Sequence, residues 1–261
     1  MAIGIFDSGV GGLTVLREVR KVLPNEKIYY FGDTARVPYG DKSKELIVRY
    51  SKQIVSFLVE KKVDAIVVAC NTATSLALEE LMETFKTPVI GVIDAGVRTA
   101  LYTTKKNKIG VIGTAATIKS GKYETEIKKR KQDAEVYSKA CPLFVPAVEE
   151  GIISGKFVEQ MVKLYLDEMK NKIDTLILGC THYPLLKDTI SRLYYNIKVV
   201  DPAKETANDL KEVLIKNELL KSDAEKGKEV RYFVTDGSKK FKEIGTMFLG
   251  EKIETVEIVK L

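Results

Sequence analysis

The sequence predicts an α/β protein made of two similar parallel-sheet halves, related by a pseudo-two-fold axis with a site between them. Three observations predict it. Short apolar, β-rich runs alternate with helical patterns, as when parallel strands are joined by crossover helices. The strand runs are almost continuously apolar, as in sheets covered on both faces. The chain also repeats itself. Ile3-Gly4-Ile5-Phe6-Asp7-Ser8 returns as Ile109-Gly110-Val111-Ile112-Gly113-Thr114, and Val63-Asp64-Ala65-Ile66-Val67-Val68-Ala69-Cys70 returns as Ile173-Asp174-Thr175-Leu176-Ile177-Leu178-Gly179-Cys180. Ile93-Asp94-Ala95 and Val200-Asp201-Pro202 make a third match, in the same order and at nearly the same offset.

In the first half, strands are expected at 3–6, 27–31, 65–69 and 89–93, with helices at 13–22, 44–60 and 75–85. In the second, strands are expected at 108–112, 135–137, 175–178 and 198–200, with helices at 119–131, 157–170, 185–195 and 203–216. Strands at 229–234 and 253–258 flank a helix at 238–249. This tail has no counterpart in the repeat, and the pattern alone does not place it.

Composition narrows the function classes. A chain of 261 residues, 45% hydrophobic and 30% charged, reads as a soluble globular protein. Charged residues interrupt every apolar run early, and no basic stretch precedes an apolar one at the N-terminus, so no membrane contact and a cytoplasmic location are expected. The net charge of +6 is spread and mixed with Glu. Its densest cluster, Lys128-Lys129-Arg130-Lys131, suits a helix C-terminus, so no nucleic-acid partner is expected. Three cysteines without secretory context imply reduced thiols.

Each repeat delivers one cysteine to the end of an apolar strand, just before a helix. Ligands of open α/β sheets bind beyond such strand ends. Cys70 precedes Asn71-Thr72-Ala73-Thr74, a capping run, and Cys180 precedes Thr181-His182-Tyr183-Pro184, where Pro184 suits a first helical turn. Free N–H groups at a helix start stabilise a thiolate, so both thiols are expected to serve as acid and base near neutral pH. Buried cysteine is commonly a small apolar residue, but the paired placement favours chemistry. Cys141, in a loop before Pro142, matches neither elbow and is read as structural. His182, the only histidine, either polarises the neighbouring thiol or caps and packs.

The turns after the first strand of each half, Gly9-Val10-Gly11-Gly12 and Gly113-Thr114-Ala115-Ala116-Thr117, match neither a dinucleotide fingerprint nor a phosphate loop. They either bring backbone close to a small anion or are simple turns. Asp7 at its strand end needs a partner if buried, either a substrate ammonium or local caps. Glu149-Glu150 offers a further carboxylate or starts a helix.

Taken together, five segments resemble the glutamate racemases of the aspartate/glutamate racemase superfamily. They are Ile5-Phe6-Asp7-Ser8-Gly9-Val10-Gly11-Gly12-Leu13, Asp33-Thr34-Ala35-Arg36-Val37-Pro38-Tyr39-Gly40, Ala69-Cys70-Asn71-Thr72-Ala73-Thr74, Pro142-Leu143-Phe144-Val145-Pro146 through Glu149-Glu150-Gly151, and Leu178-Gly179-Cys180-Thr181-His182-Tyr183-Pro184. The resemblance implies interconversion of L- and D-glutamate for peptidoglycan synthesis, without pyridoxal phosphate or metal. It implies that Cys70 and Cys180 exchange acid and base roles, assisted by Asp7 and His182, with Glu149 supporting His182. Substrate contacts would come from Asp7, Ser8, Tyr39, Gly40, Asn71, Thr72, Thr114, Thr181 and His182. The tail would return to a discontinuous first domain, 1–94 plus 208–261, with the second at 95–207 and a homodimer as the assembly. Three other readings stay open from the residues: a racemase of aspartate or another small acid, a metal-dependent hydrolase using Cys70, Cys141, Cys180 and His182, and a non-enzymatic small-ligand binder with inert thiols.

Overall fold

A computed structural model describes residues 1–220 and 229–261. The first half runs β1 (Ala2–Asp7), α1 (Leu13–Val22), β2 (Lys27–Gly32), α2 (Lys44–Glu60), β3 (Ala65–Val68), α3 (Asn71–Thr84) and β4 (Val89–Gly91). Then α4 (Ile93–Thr103) leads into β5 (Lys108–Gly113), α5 (Ala115–Lys119), α6 (Lys122–Arg130), β6 (Glu135–Ala140), α7 (Phe144–Glu149), α8 (Lys156–Leu166), β7 (Thr175–Gly179), α9 (Lys187–Leu193) and β8 (Lys198–Val200). The chain closes with α10 (Ala203–Lys216), β9 (Val230–Val234), α11 (Ser238–Leu249) and β10 (Glu257–Ile258).

Two sheets result, ordered β10-β9-β2-β1-β3-β4 and β6-β5-β7-β8, with every pairing parallel. The tail is thereby placed: β9 pairs with β2 and extends the first sheet. Consecutive strand residues are buried on both faces. Ile5 packs with Leu13 and Leu16 of α1, while Phe6 joins Ile54 and Leu58 of α2. Each such side chain contributes about 1.5–3 kcal/mol on burial, more than helix or strand propensity supplies per residue. The cluster containing Ile5 also holds Ile112, Phe144 and Leu178, so the two sheets share a core.

This topology positions the site. In the first sheet β1 lies between β2 and β3; in the second β5 lies between β6 and β7. The chain therefore leaves β1 and β5 on one side and returns on the other, which opens a crevice beyond their carboxyl ends. Asp7, Ser8 and Cys70 stand at one such crevice, Thr114 and Cys180 at the other.

Several elements differ from the sequence expectation. The apolar run at 89–93 divides into β4 and the start of α4, because an unbroken apolar stretch carries no period to mark the change. The helix expected at 119–131 breaks at Gly121, whose φ of 64° ends α5 and starts α6. Expected at 75, α3 begins immediately after Cys70. Glu149 ends a helix, α7, rather than starting one. The third repeat match is not equivalent in place: Asp201 follows β8, half-buried, whereas Asp94 sits in α4, paired with Arg98 and Arg130. Residues 94–95 fall within α4 and 207–208 within α10, two helices packed on one another and shared between the halves.

Candidate active site

The strand ends converge on one cavity of about 350 Å³, at the small end of the range for small-molecule sites. Of the nominated residues, Ser8, Tyr39, Gly40, Cys70, Asn71, Thr72, Thr114, Glu149, Cys180, Thr181 and His182 all line it. Asp7 does not reach the wall. It is fully buried behind it, with Oδ2 accepting from the Gly9 N–H at 2.9 Å and Oδ1 from the Thr181 hydroxyl at 3.3 Å.

The first thiol is held by α3. Cys70 is its N-cap, with Sγ accepting from the Ala73 N–H at 3.5 Å and lying 3.8 Å from the Ser8 hydroxyl. Next to it, the hydroxyls of Thr72, Thr114 and Thr117 form a ring with edges of 2.8, 2.9 and 3.1 Å. That ring ties the start of α3 to the start of α5 across the two sheets. Asn71 makes a second tie, its Oδ1 accepting from the buried Tyr123 hydroxyl at 2.7 Å. The Tyr39 hydroxyl is already engaged, donating to the buried Asp33 carboxylate, so this residue presents backbone and ring to the cavity. At Gly40, a Cβ would lie 2.9 Å from Thr114 Cβ, so only glycine permits this approach of the loop to α5.

The second thiol stands at one end of a chain of polar contacts. Cys180 Sγ lies 3.9 Å from His182 Nδ1, and His182 Nε2 lies 3.1 Å from Glu149 Oε1. Glu150, the alternative carboxylate, also lines the cavity but is largely exposed and pairs with Lys240 Nζ at 3.5 Å. The glycine turn serves this packing. A Cβ on Gly11 would sit 2.5 Å from His182 Nδ1, and one on Gly12 2.6 Å from Asp7 Cβ. The turn therefore admits protein side chains rather than a phosphate.

Burial sets the electrostatics, against the expectation that helix N–H groups would bring the thiols down. It pushes Cys70 up to about 12, aided by the charge of Asp7 and opposed by the N–H groups of Ala73 and Ser8. Cys180 is pushed up as well, by burial first, with an N–H of its own turn opposing; an ionised Cys70 raises it further, so the two thiols sense each other. Burial also raises Asp7, despite His182 and its N–H donors. Glu149 moves the other way, held low by its hydrogen bond to His182. Cys141, read as structural, does line the cavity, with its thiol 3.7 Å from the Lys139 carbonyl. Among the described residues, no three His, Cys, Asp or Glu side chains are spaced to hold a metal, although Cys70, Cys141, Cys180 and His182 of the hydrolase reading all line the cavity.

Sequence reasoning passed over Thr117, Tyr123, Asp33 and Phe248. Thr117 was visible within its turn and Asp33 within its motif. Tyr123 and Phe248 lie in ordinary helical stretches, and only the fold brings them to the site.

The family profile described as Asp/Glu/Hydantoin racemase matches residues 13–210. Over 264 residues the chain is 54% identical to the glutamate racemase of Persephonella marina, covering 100% of this chain and 99% of that one. It is 53% identical to the glutamate racemase of Aquifex aeolicus, covering 97% and 96%. The crystal structure of glutamate racemase from Francisella tularensis in complex with D-glutamate superposes with a TM-score of 0.93 at 43% identity, covering 99% of this chain and 97% of that one.

Proposed function

We propose, for a chain that belongs to the Asp/Glu/Hydantoin racemase family, the cofactor-independent interconversion of L- and D-glutamate by Cys70 and Cys180, supplying D-glutamate for peptidoglycan synthesis. The observation that carries the reading is that matched strand ends of two sheets bring one thiol each to a single cavity.

Racemisation removes the α-proton from one face and returns a proton to the other. In the proposed step one thiolate takes the Cα hydrogen and becomes a thiol; the opposite thiol protonates the carbanion and becomes the thiolate. Charge moves from one sulfur to the other and no atom is lost. A thiol raised by burial gives a scarcer but stronger base, which suits a weakly acidic C–H. On the Cys180 side, His182 takes the thiol proton and Glu149 stabilises the imidazolium formed. On the Cys70 side the buried Asp7 is the proton acceptor, consistent with its raised carboxyl. Substrate ammonium brings positive charge to both sulfurs and lowers the cost of ionising either one. Thr72 and Thr114 donate to a substrate carboxylate, as do the free N–H groups at the start of α3. Ser8, Asn71, Thr181 and the Tyr39-Gly40 backbone complete the proposed contacts.

The proposed domain division is 1–94 plus 208–261 and 95–207, with both junctions falling in the packed helices α4 and α10. No described helix is long and apolar enough to cross a membrane. A cytoplasmic homodimer is proposed on family resemblance alone.

The test is circular dichroism of L- or D-glutamate incubated with the protein in deuterated water, with no cofactor added and aspartate as the comparison substrate. Glutamate from either enantiomer should become racemic and carry deuterium at Cα. Undiminished ellipticity, or faster loss with aspartate, would overturn the reading.

A further inference from the structure

The geometry points to Phe248 as the positioning residue that aims His182 between Cys180 and Glu149. Phe248 belongs to α11, in the tail that has no counterpart in the repeat, and is fully buried. Its ring stands edge-to-face with the imidazole, centroids 5.2 Å apart and planes 82° apart. Gly11 also lies against the imidazole: a Cβ there would sit 2.5 Å from His182 Nδ1 and closer still to the Thr181 hydroxyl oxygen. The polar contacts of His182 lie at its two nitrogens, to Cys180 and to Glu149. At 3.9 Å the contact to sulfur is long, so Nδ1 is held less tightly than Nε2 at 3.1 Å. Packing against the Phe248 ring restricts rotation of the imidazole about its Cβ–Cγ bond.

α11 is anchored for this purpose. Arg17 of α1 donates to the Phe248 carbonyl at 3.3 Å. The duplicated halves thus provide two thiols, and the unduplicated tail sets the ring that serves only one of them.

This inference rests on the two-thiol reading, and one experiment separates their failures. L- and D-glutamate have equal free energy in water, so kcat/KM must be equal in the two directions for any variant. A defect confined to Cys180 therefore appears in isotope effects instead. With Cα-deuterated substrates, Phe248→Leu should lower kcat about three- to tenfold, the range an aromatic pair contributes. The primary isotope effect on kcat/KM should rise for the enantiomer whose hydrogen goes to Cys180 and fall for the other. Isotope effects are ratios read on folded molecules, so partial unfolding leaves them unchanged. Phe248→Ala removes the whole ring and should move both effects in the same two directions, further than the Leu variant does. Unaltered isotope effects in both variants would overturn the positioning role. A parent protein that exchanges no Cα hydrogen would instead overturn the two-thiol reading, before any variant is made.

Discussion

Replacing Glu149 with Gln isolates the charge behind His182. The side chain keeps its shape, and an amide oxygen can still accept from Nε2 at 3.1 Å. What is lost is the carboxylate. A hydrogen bond to a charged group is worth about 1.5–3 kcal/mol and a neutral one about 0.5–1.5, so the variant gives up about 1–1.5 kcal/mol of imidazolium stabilisation. Coulomb attraction at 3.1 Å and an effective dielectric of 20 sets a ceiling of about 5 kcal/mol. Glu149 is 28% exposed against 6% for His182, which places the loss towards the lower figure. At about 1.4 kcal/mol per factor of ten, kcat should fall roughly tenfold. The assay is glutamate chirality followed from each enantiomer, with thermal unfolding followed across pH. The carboxyl lies below its ordinary 4.5 in the folded protein, so its stabilisation is fully present above 4.5 and is lost as pH falls through the lowered value. Parent and variant melting temperatures should therefore converge as pH drops below 4.5. Parental kcat in the variant, with melting curves that stay parallel down to pH 3, would refute the relay.

Cys70→Ser and Cys180→Ser should each lower racemisation by about a hundred- to ten-thousandfold, the span of a single acid–base group, with the melting temperature nearly kept; near-parental turnover in either would sink the exchange of roles. Burial holds Cys70 protonated up to about 12 while an unfolded thiol ionises near 9, so its contribution to stability is intact below 9 and disappears as pH climbs between those values. Urea unfolding should show that loss, and Cys70→Ala should flatten it; equal slopes in the two proteins would contradict the burial argument. Gly40→Ala sets a methyl 2.9 Å from Thr114 Cβ and should raise KM several-fold more than it lowers kcat, which steady-state rates would show. Glu150→Gln, at a largely exposed carboxylate paired with Lys240 rather than His182, should leave both parameters close to those of the parent, and a tenfold loss there would reverse the choice between the two carboxylates.

Much of the molecule is legible in its residues. The repeat and the apolar strands imply parallel sheets, and the two elbows imply thiols at strand ends, because a strand's carboxyl end and a helix's first turn are local facts about a few consecutive residues. Identical local signals are silent where the outcome depends on distant partners. The run at 89–93 carries no period to show that Val92 leaves the strand. Gly121 could have stayed helical, and its positive φ is set by how α5 and α6 pack. The thiol acidity was read from helix N–H groups a few residues away, but burial by both halves outweighs them.

The sequence by itself determined the alternation of elements, the duplication and the chemistry available at Cys70, Cys180 and His182. Tertiary structure alone decided that β9 extends the first sheet, that Asp7 lies behind the wall, that Glu149 rather than Glu150 meets His182, and that Phe248 flanks the imidazole. Periodicity and capping are written within a few neighbouring residues. Contacts between groups far apart in the chain arise only when burial of apolar surface brings the two sheets together.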